Sequence, residues 1–150
     1  MKMRKHRIVI CVGVIAAILL TGTHAFSAER MSVGVPIANV RSGSNGKAAV
    51  LWQVEQYQPL NVIQKSGEWY LCEDFEGDRG WVHNTLLSRT ATVVVKANLC
   101  NVRSSPGTNA PIQFTVDKGV PFKVLEKKNG WYNVVHADGD KGWIHGPLVW

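Results

Sequence analysis

Cys72, Cys100, His83, His145, Arg41 and Arg103 are the side chains whose types could carry nucleophilic, metal-binding or anion-binding chemistry. Their spacing argues against the first two. A metal site wants three or four clustered ligands. His83 and His145 lie far apart and serve better as structural hydrogen-bonding groups. A cysteine nucleophile needs an adjacent base, and none stands near Cys72 in the chain. No catalytic residue, metal ligand or cofactor is therefore assigned, and the chain reads as a non-enzyme. Arg41 and Arg103 alternate outward beside Val40 and Val102. They are placed to pair with the acidic turns Glu76/Asp78 and Asp138/Asp140, or to meet an anionic ligand.

The elements that must position these residues come from a repeat. Asn39-Val40-Arg41-Ser42 returns as Asn101-Val102-Arg103-Ser104, an offset of 62 residues. Trp69-Tyr70 returns as Trp131-Tyr132, and Gly80-Trp81-Val82-His83 as Gly142-Trp143-Ile144-His145, at the same offset. Pro59 and Pro121 match, as do Gly77-Asp78 and Gly139-Asp140. The register needs no gap from residue 36 to 88. Three motifs in one register mean two copies of one unit of about 60 residues.

Each copy follows strand logic. Short apolar-rich segments at Leu60–Gln64 and Phe122–Glu126 run into turn residues, Ser66-Gly67 and Asn129-Gly130. Asn-Gly between two such runs is a strong hairpin signal. Glu76-Gly77 and Asp138-Gly139 mark a second hairpin. Ser105-Pro106-Gly107-Thr108 suits a turn with positive φ at glycine, and Asn45 stands at the same register. No sustained 3.6-residue period marks the chain after residue 28. The fold class is all-β: two small barrels in tandem, spanning 29–88 and 89–150. A 60-residue β unit is marginal alone, and Arg89-Thr90-Ala91 is a short linker, so the two are expected to pack together.

The 150 residues carry a formal charge of +6. Four of those charges, Lys2, Arg4, Lys5 and Arg7, precede an apolar run from Ile8 to Leu20 and then small residues. That order reads as a secretory signal over residues 1–28, cut between Ala25 and Ala28. The run is shorter than the roughly 20 apolar residues of a membrane span, so none is expected after cleavage. Removing the four charges leaves +2, which gives no reason to invoke nucleic acid. The halves differ, with residues 30–88 at −1 and 89–150 at +4. Lys127 and Lys128 beside a turn read as a solvated tip.

Alternation splits the residues around each Trp-Tyr pair into two faces. Tyr70 and Cys72, with Tyr132 and Val134, take the core face. Trp69 and Trp131 then point outward, as stacking platforms for a sugar ring or an extended peptide. Trp81 and Trp143 read as packing residues, with Gly80 and Gly142 giving room for a bend. Cys72 and Cys100 are an even pair in an oxidising compartment, which makes a disulfide possible. Against it, Cys72 matches Val134 and Cys100 matches Ala38. Both look like core positions of different units, and a bridge needs Cα atoms within about 7 Å.

The motifs Asn-Val-Arg-Ser, Trp-Tyr and Gly-Trp-Val/Ile-His, followed by Leu86 or Leu148, resemble the bacterial SH3-like (SH3b) domain. The resemblance covers both copies, about residues 33–88 and 93–150. It implies a strongly bent five- to six-stranded barrel that binds rather than catalyses. It also implies a secreted protein of the periplasm or cell envelope that recognises peptidoglycan. Trp69, Trp131, Arg41 and Arg103 are then the candidate ligand residues. The alternative is a periplasmic adaptor that clamps an extended segment of a partner protein. The first copy departs from the family at Ser42-Gly43-Ser44-Asn45, where a Ser-x-Pro-Gly turn is usual.

Overall fold

The computed structural model describes residues 28–150, so almost all of the proposed signal segment lies outside the described residues. Alternating apolar residues and turn signals produce short antiparallel strands. In the first unit they are β1 (Glu29–Val33), β2 (Ile37–Arg41), β3 (Val50–Glu55), β4 (Pro59–Ser66), β5 (Trp69–Glu73), β6 (Arg79–His83) and β7 (Leu87–Ser88). A single 3-10 turn, Asn84–Leu86, precedes β7. In the second unit they are β8 (Thr92–Val94), β9 (Leu99–Arg103), β10 (Ile112–Asp117), β11 (Pro121–Lys128), β12 (Trp131–Val135) and β13 (Lys141–His145).

The first sheet runs β3-β2-β6-β5-β4-β1-β7 and the second β10-β9-β13-β12-β11-β8. The orders are the same topology shifted by 62 residues. A bridge between Val95 and Val149 stands where β1 and β7 pair through Val33 and Leu87. The long hairpins turn as their sequences require. Asn129 and Gly130 both have positive φ, while at the matching turn of the first unit, Ser66-Gly67, only the glycine does. One non-glycine carries strain: Tyr57 has φ 71° where the second unit has Gly119 at 92°, a conformation that costs about 1 kcal/mol or more without glycine. The turn at Gly107 has positive φ, as its sequence suggests, but Asn45 does not share it. Asn45 instead accepts a hydrogen bond from Lys47 N at 3.0 Å through its side chain.

Each sheet curls around its own core. Val33, Ala38, Val40, Leu60, Val62, Cys72 and Val82 form the first, and Tyr70 packs against it. Cys100, Val102, Phe122, Val134, Ile144 and Val149 anchor the second, with Tyr132 against it. Burying a side chain of this size stabilises by about 1.5–3 kcal/mol. The glycines of β6 and β13 serve close approach rather than a bend alone. A Cβ at Gly80 would lie 2.3 Å from Val40 Cγ1, and one at Gly142 would lie 2.8 Å from Arg103 O.

The units touch. The Arg30 guanidinium lies 3.9 Å over the Trp150 ring, Phe75 packs near that ring, and Lys118 pairs with Glu76. Ser32 Oγ donates to Thr90 O at 3.0 Å, which fixes the start of the linker against β1.

Candidate functional site

Strand register decides which candidate residues meet. Partners directly opposite in an antiparallel pair share a face. β5 and β6 pair Trp69 with His83 and Leu71 with Trp81, and β6 meets β2 through Trp81 and Arg41. Trp69, His83, Leu71, Trp81 and Arg41 therefore form one stripe on the outer face. The second unit repeats it as Trp131, His145, Asn133, Trp143 and Arg103. Trp81 and Trp143 belong to neither buried core and lie half-buried on the other face: Val82 and Ile144 point inward, and alternation sends their neighbours out. Tyr70 and Tyr132 do face inward, as expected.

The two stripes are not equally open. Trp69 is half-buried, whereas Trp131 is only 8% exposed. His83 meets the Trp69 ring edge-on at 5.1 Å, while His145 lies flatter on Trp131, at 4.8 Å and 31°. The cause is local. His83 Nδ1 lies 2.7 Å from Thr85 Oγ1, and Nε2 lies 3.6 Å from Glu68. At those positions the second unit has Pro147 and Gly130. His145 has no such partners, and its ring settles on the indole instead.

Arg41 and Arg103 do not pair with the acidic turns. Arg41 Nη1 donates to Ala48 O at 2.8 Å and Arg103 Nη1 to Ala110 O at 2.7 Å. Each arginine thus ties down the loop that follows its own strand, and nothing in the chain's pattern announces a carbonyl seven residues on. The acidic turns are held differently. Asp74 Oδ1 accepts from Glu76 N and Asp78 N, and Arg79 pairs with Glu73 at 2.6 Å.

The disulfide is not formed. Cys72 and Cys100 are both free and buried, each in a different core, so no bridge can join them. Burial pushes the Cys72 thiol up to about 12 and the Cys100 thiol up to about 11. Neither is a thiolate at neutral pH. Because the folded values lie above the ordinary one, this contribution to stability is complete below about pH 9. It is lost as pH rises toward 11 and 12. Both thiols are expected to resist Ellman's reagent at pH 8 in the native protein and to react fully in guanidinium. Rapid native labelling of either would show that its core opens.

One groove has no counterpart in the sequence argument. Phe114, Val116, Val120 and Phe122 floor a space of about 670 Å³, rimmed by His136, Asp138, Asp140 and Glu55. His136 stands where the first unit has Asp74. Its ring meets Phe122 at 5.6 Å, and its Nδ1 lies 2.8 Å from Asp138 Oδ1. That contact is the main reason the Asp138 carboxyl sits below its ordinary value. Among the described residues, no group of three or more His, Cys, Asp or Glu is placed to hold a metal ion, and no helix is long and apolar enough to cross a membrane.

A Bacillus subtilis (strain 168) protein, YrvJ, provisionally named an N-acetylmuramoyl-L-alanine amidase, is 27% identical over 138 residues. The match covers 79% of this chain and 26% of YrvJ, so the chain spans about a quarter of that relative. Among solved structures, an NlpC/P60 family protein from Bacillus cereus ATCC 10987 matches with a TM-score of 0.40 at 13% identity, over 81% of this chain and 56% of that one. NlpC2 from Trichomonas vaginalis matches with a TM-score of 0.38 at 12% identity, over 83% of this chain and 48% of that one. The sequence model described as the bacterial SH3 domain matches residues 34–89 and again 96–150. Two matches over most of the described residues, on two sheets of one topology, settle the question of kinship: the chain belongs to the bacterial SH3 domain family, in two tandem copies.

Proposed function

We propose that this protein is a non-catalytic binding module that acts outside the cytoplasm and recognises cell-wall peptidoglycan. The observation that carries the reading is the half-buried stripe of the first unit, whose Trp69 is more accessible than Trp131 of the second. Trp69, Leu71 and Trp81 present a ridge of apolar and aromatic surface beside the fixed guanidinium of Arg41. Such a ridge suits the apolar face of a sugar ring or a short peptide, and the cation suits a nearby carboxylate. The family supports a binding role, and the Bacillus subtilis relative is named for action on a muramoyl–alanine linkage. The second unit contributes less, because His145 covers Trp131.

Co-sedimentation of the purified protein with peptidoglycan, at low and moderate salt, tests this. Saturable pelleting that survives salt is expected. Trp69→Ala should weaken it about tenfold, the usual scale for an aromatic anchor, and Trp131→Ala much less. Loss of all pelleting at moderate salt would reduce the interaction to charge. Undiminished binding by Trp69→Ala would move the site elsewhere.

A second reading has its own support. β3 and β10 are sheet edges, and Val50, Leu51 and Ile112 on them are about half exposed. An extended segment of a periplasmic protein could add there as a further strand. Pull-down from periplasmic extract, set against pull-down on sacculi, separates the adaptor from the wall binder.

A further inference from the structure

The first repeat supplies its own lysine with a carboxylate, and the second does not. In the first, Glu29 Oε2 lies 2.6 Å from Lys65 Nζ, and that ammonium also sits 4.7 Å over the Tyr70 ring. In the second, Lys127 holds the same pose, 5.1 Å over the Tyr132 ring. The residue at the position of Glu29 is Ala91. The backbone match is direct: Glu29 pairs with Val62 in the first sheet, and Val124 N donates to Ala91 O at 2.8 Å in the second.

Where the missing carboxylate would lie, there is a cavity of about 450 Å³ at the junction of the two repeats. Ala91, Lys127, Tyr132, Arg30 and Trp150 line it, and no Asp or Glu does. Arg89 borders it but is already tied to Glu29 at 2.7 Å. Among the described residues, neither Arg30 nor Lys127 makes a salt bridge. Arg30 lies over the Trp150 ring with its side chain still exposed, and the partial desolvation there lowers its pKa against a smaller opposing effect of Tyr132. Two unpaired cations thus face a space with aromatic and aliphatic walls. It is too large for a simple ion and falls in the range of small-molecule sites.

We propose that this cavity binds the carboxylate end of a short peptide, with the ligand carboxylate between Lys127 and Arg30 and its apolar side chains against Tyr132 and Trp150. The ligand carboxylate takes the part that Glu29 plays in the first repeat. The site is separate from the Trp69 stripe and stands whether or not the wall reading holds.

The test is an NMR titration of the purified protein with N-acetyl-L-alanyl-L-alanine and with its C-terminal amide. The free acid is expected to shift the signals of Ala91, Tyr132 and Trp150. The amide should bind at least tenfold more weakly. Lys127→Gln should lower affinity for the acid about tenfold, while Lys65→Gln, at the matching position of the first repeat, should leave it unchanged. Ala91→Glu is the sharpest variant. It installs the ion pair of the first repeat, so it should abolish binding in a protein that remains folded. Equal binding of acid and amide, or full binding by Ala91→Glu, overturns the proposal. Inorganic phosphate binding as tightly as the dipeptide acid would mark a bare cationic patch and overturn it too.

Discussion

Phe122→Ala is expected to remove about 4 kcal/mol from the stability of the second repeat. The ring is fully buried at the centre of its core, and His136 closes it from the rim. A unit of this size has only a few kcal/mol in hand, so the substitution should leave the second repeat largely unfolded at 37 °C. Calorimetry is the measurement of choice, because the repeats have separate cores and can melt separately. The low transition should belong to the second repeat while the first persists. Leu60→Ala, the same position in the first repeat, should reverse that order. A loss under about 1 kcal/mol would mean that the core can collapse around the gap.

Gly142→Ala is the second large effect, at about 3 kcal/mol. The added Cβ would stand 2.6 Å from Val102 Cγ1, 2.8 Å from Arg103 O and 2.9 Å from Gln113 Oε1. The carbonyl is the decisive neighbour, since a backbone atom cannot swing aside. At Gly80 the nearest carbonyl is 3.2 Å away, and the closest atom is a valine methyl at 2.3 Å. Gly80→Ala should therefore cost less, in the range of 1–2 kcal/mol. Urea unfolding of the two variants ranks them. If Gly80→Ala proves the more damaging, Val40 is pinned more firmly than the Arg103 backbone.

The architecture was legible because its signals are local. Asn129-Gly130 names a hairpin, and a 62-residue offset names a repeat, before any contact is known. The inward set, Tyr70 with Cys72 and Tyr132 with Val134, follows from strand alternation alone. The same rule, carried one strand further, places Trp81 outward beside the inward Val82. The inequality of Trp69 and Trp131 has no such local signal. It depends on Thr85 and Glu68 engaging His83 and on Pro147 and Gly130 releasing His145. The arginines were placed on the correct face, but their carbonyl partners depend on how each loop curls back. The junction cavity escaped for another reason. The ungapped sequence repeat begins at residue 36, and the contrast between Glu29 and Ala91 lies in the strands before it.

Those first strands carry one more consequence, for how the chain assembles. Residues 29–33 and 91–95 take the same place beside β4 and β11, and their Val33 and Val95 are both fully buried. Either strand can therefore template on either hairpin. Exchange even conserves the ion-pair count, because Glu29 displaced onto β11 would find Lys127 instead of Lys65. The ion pair thus discriminates weakly between native and exchanged arrangements, which leaves the choice to chain connectivity and to buried Ser32, whose hydroxyl meets Ser88 and Thr90 where the second unit has Val94. Repeated domains misassemble along such routes. Crowded refolding should favour strand-swapped dimers, with the residues between Ser88 and Thr92 as the hinge.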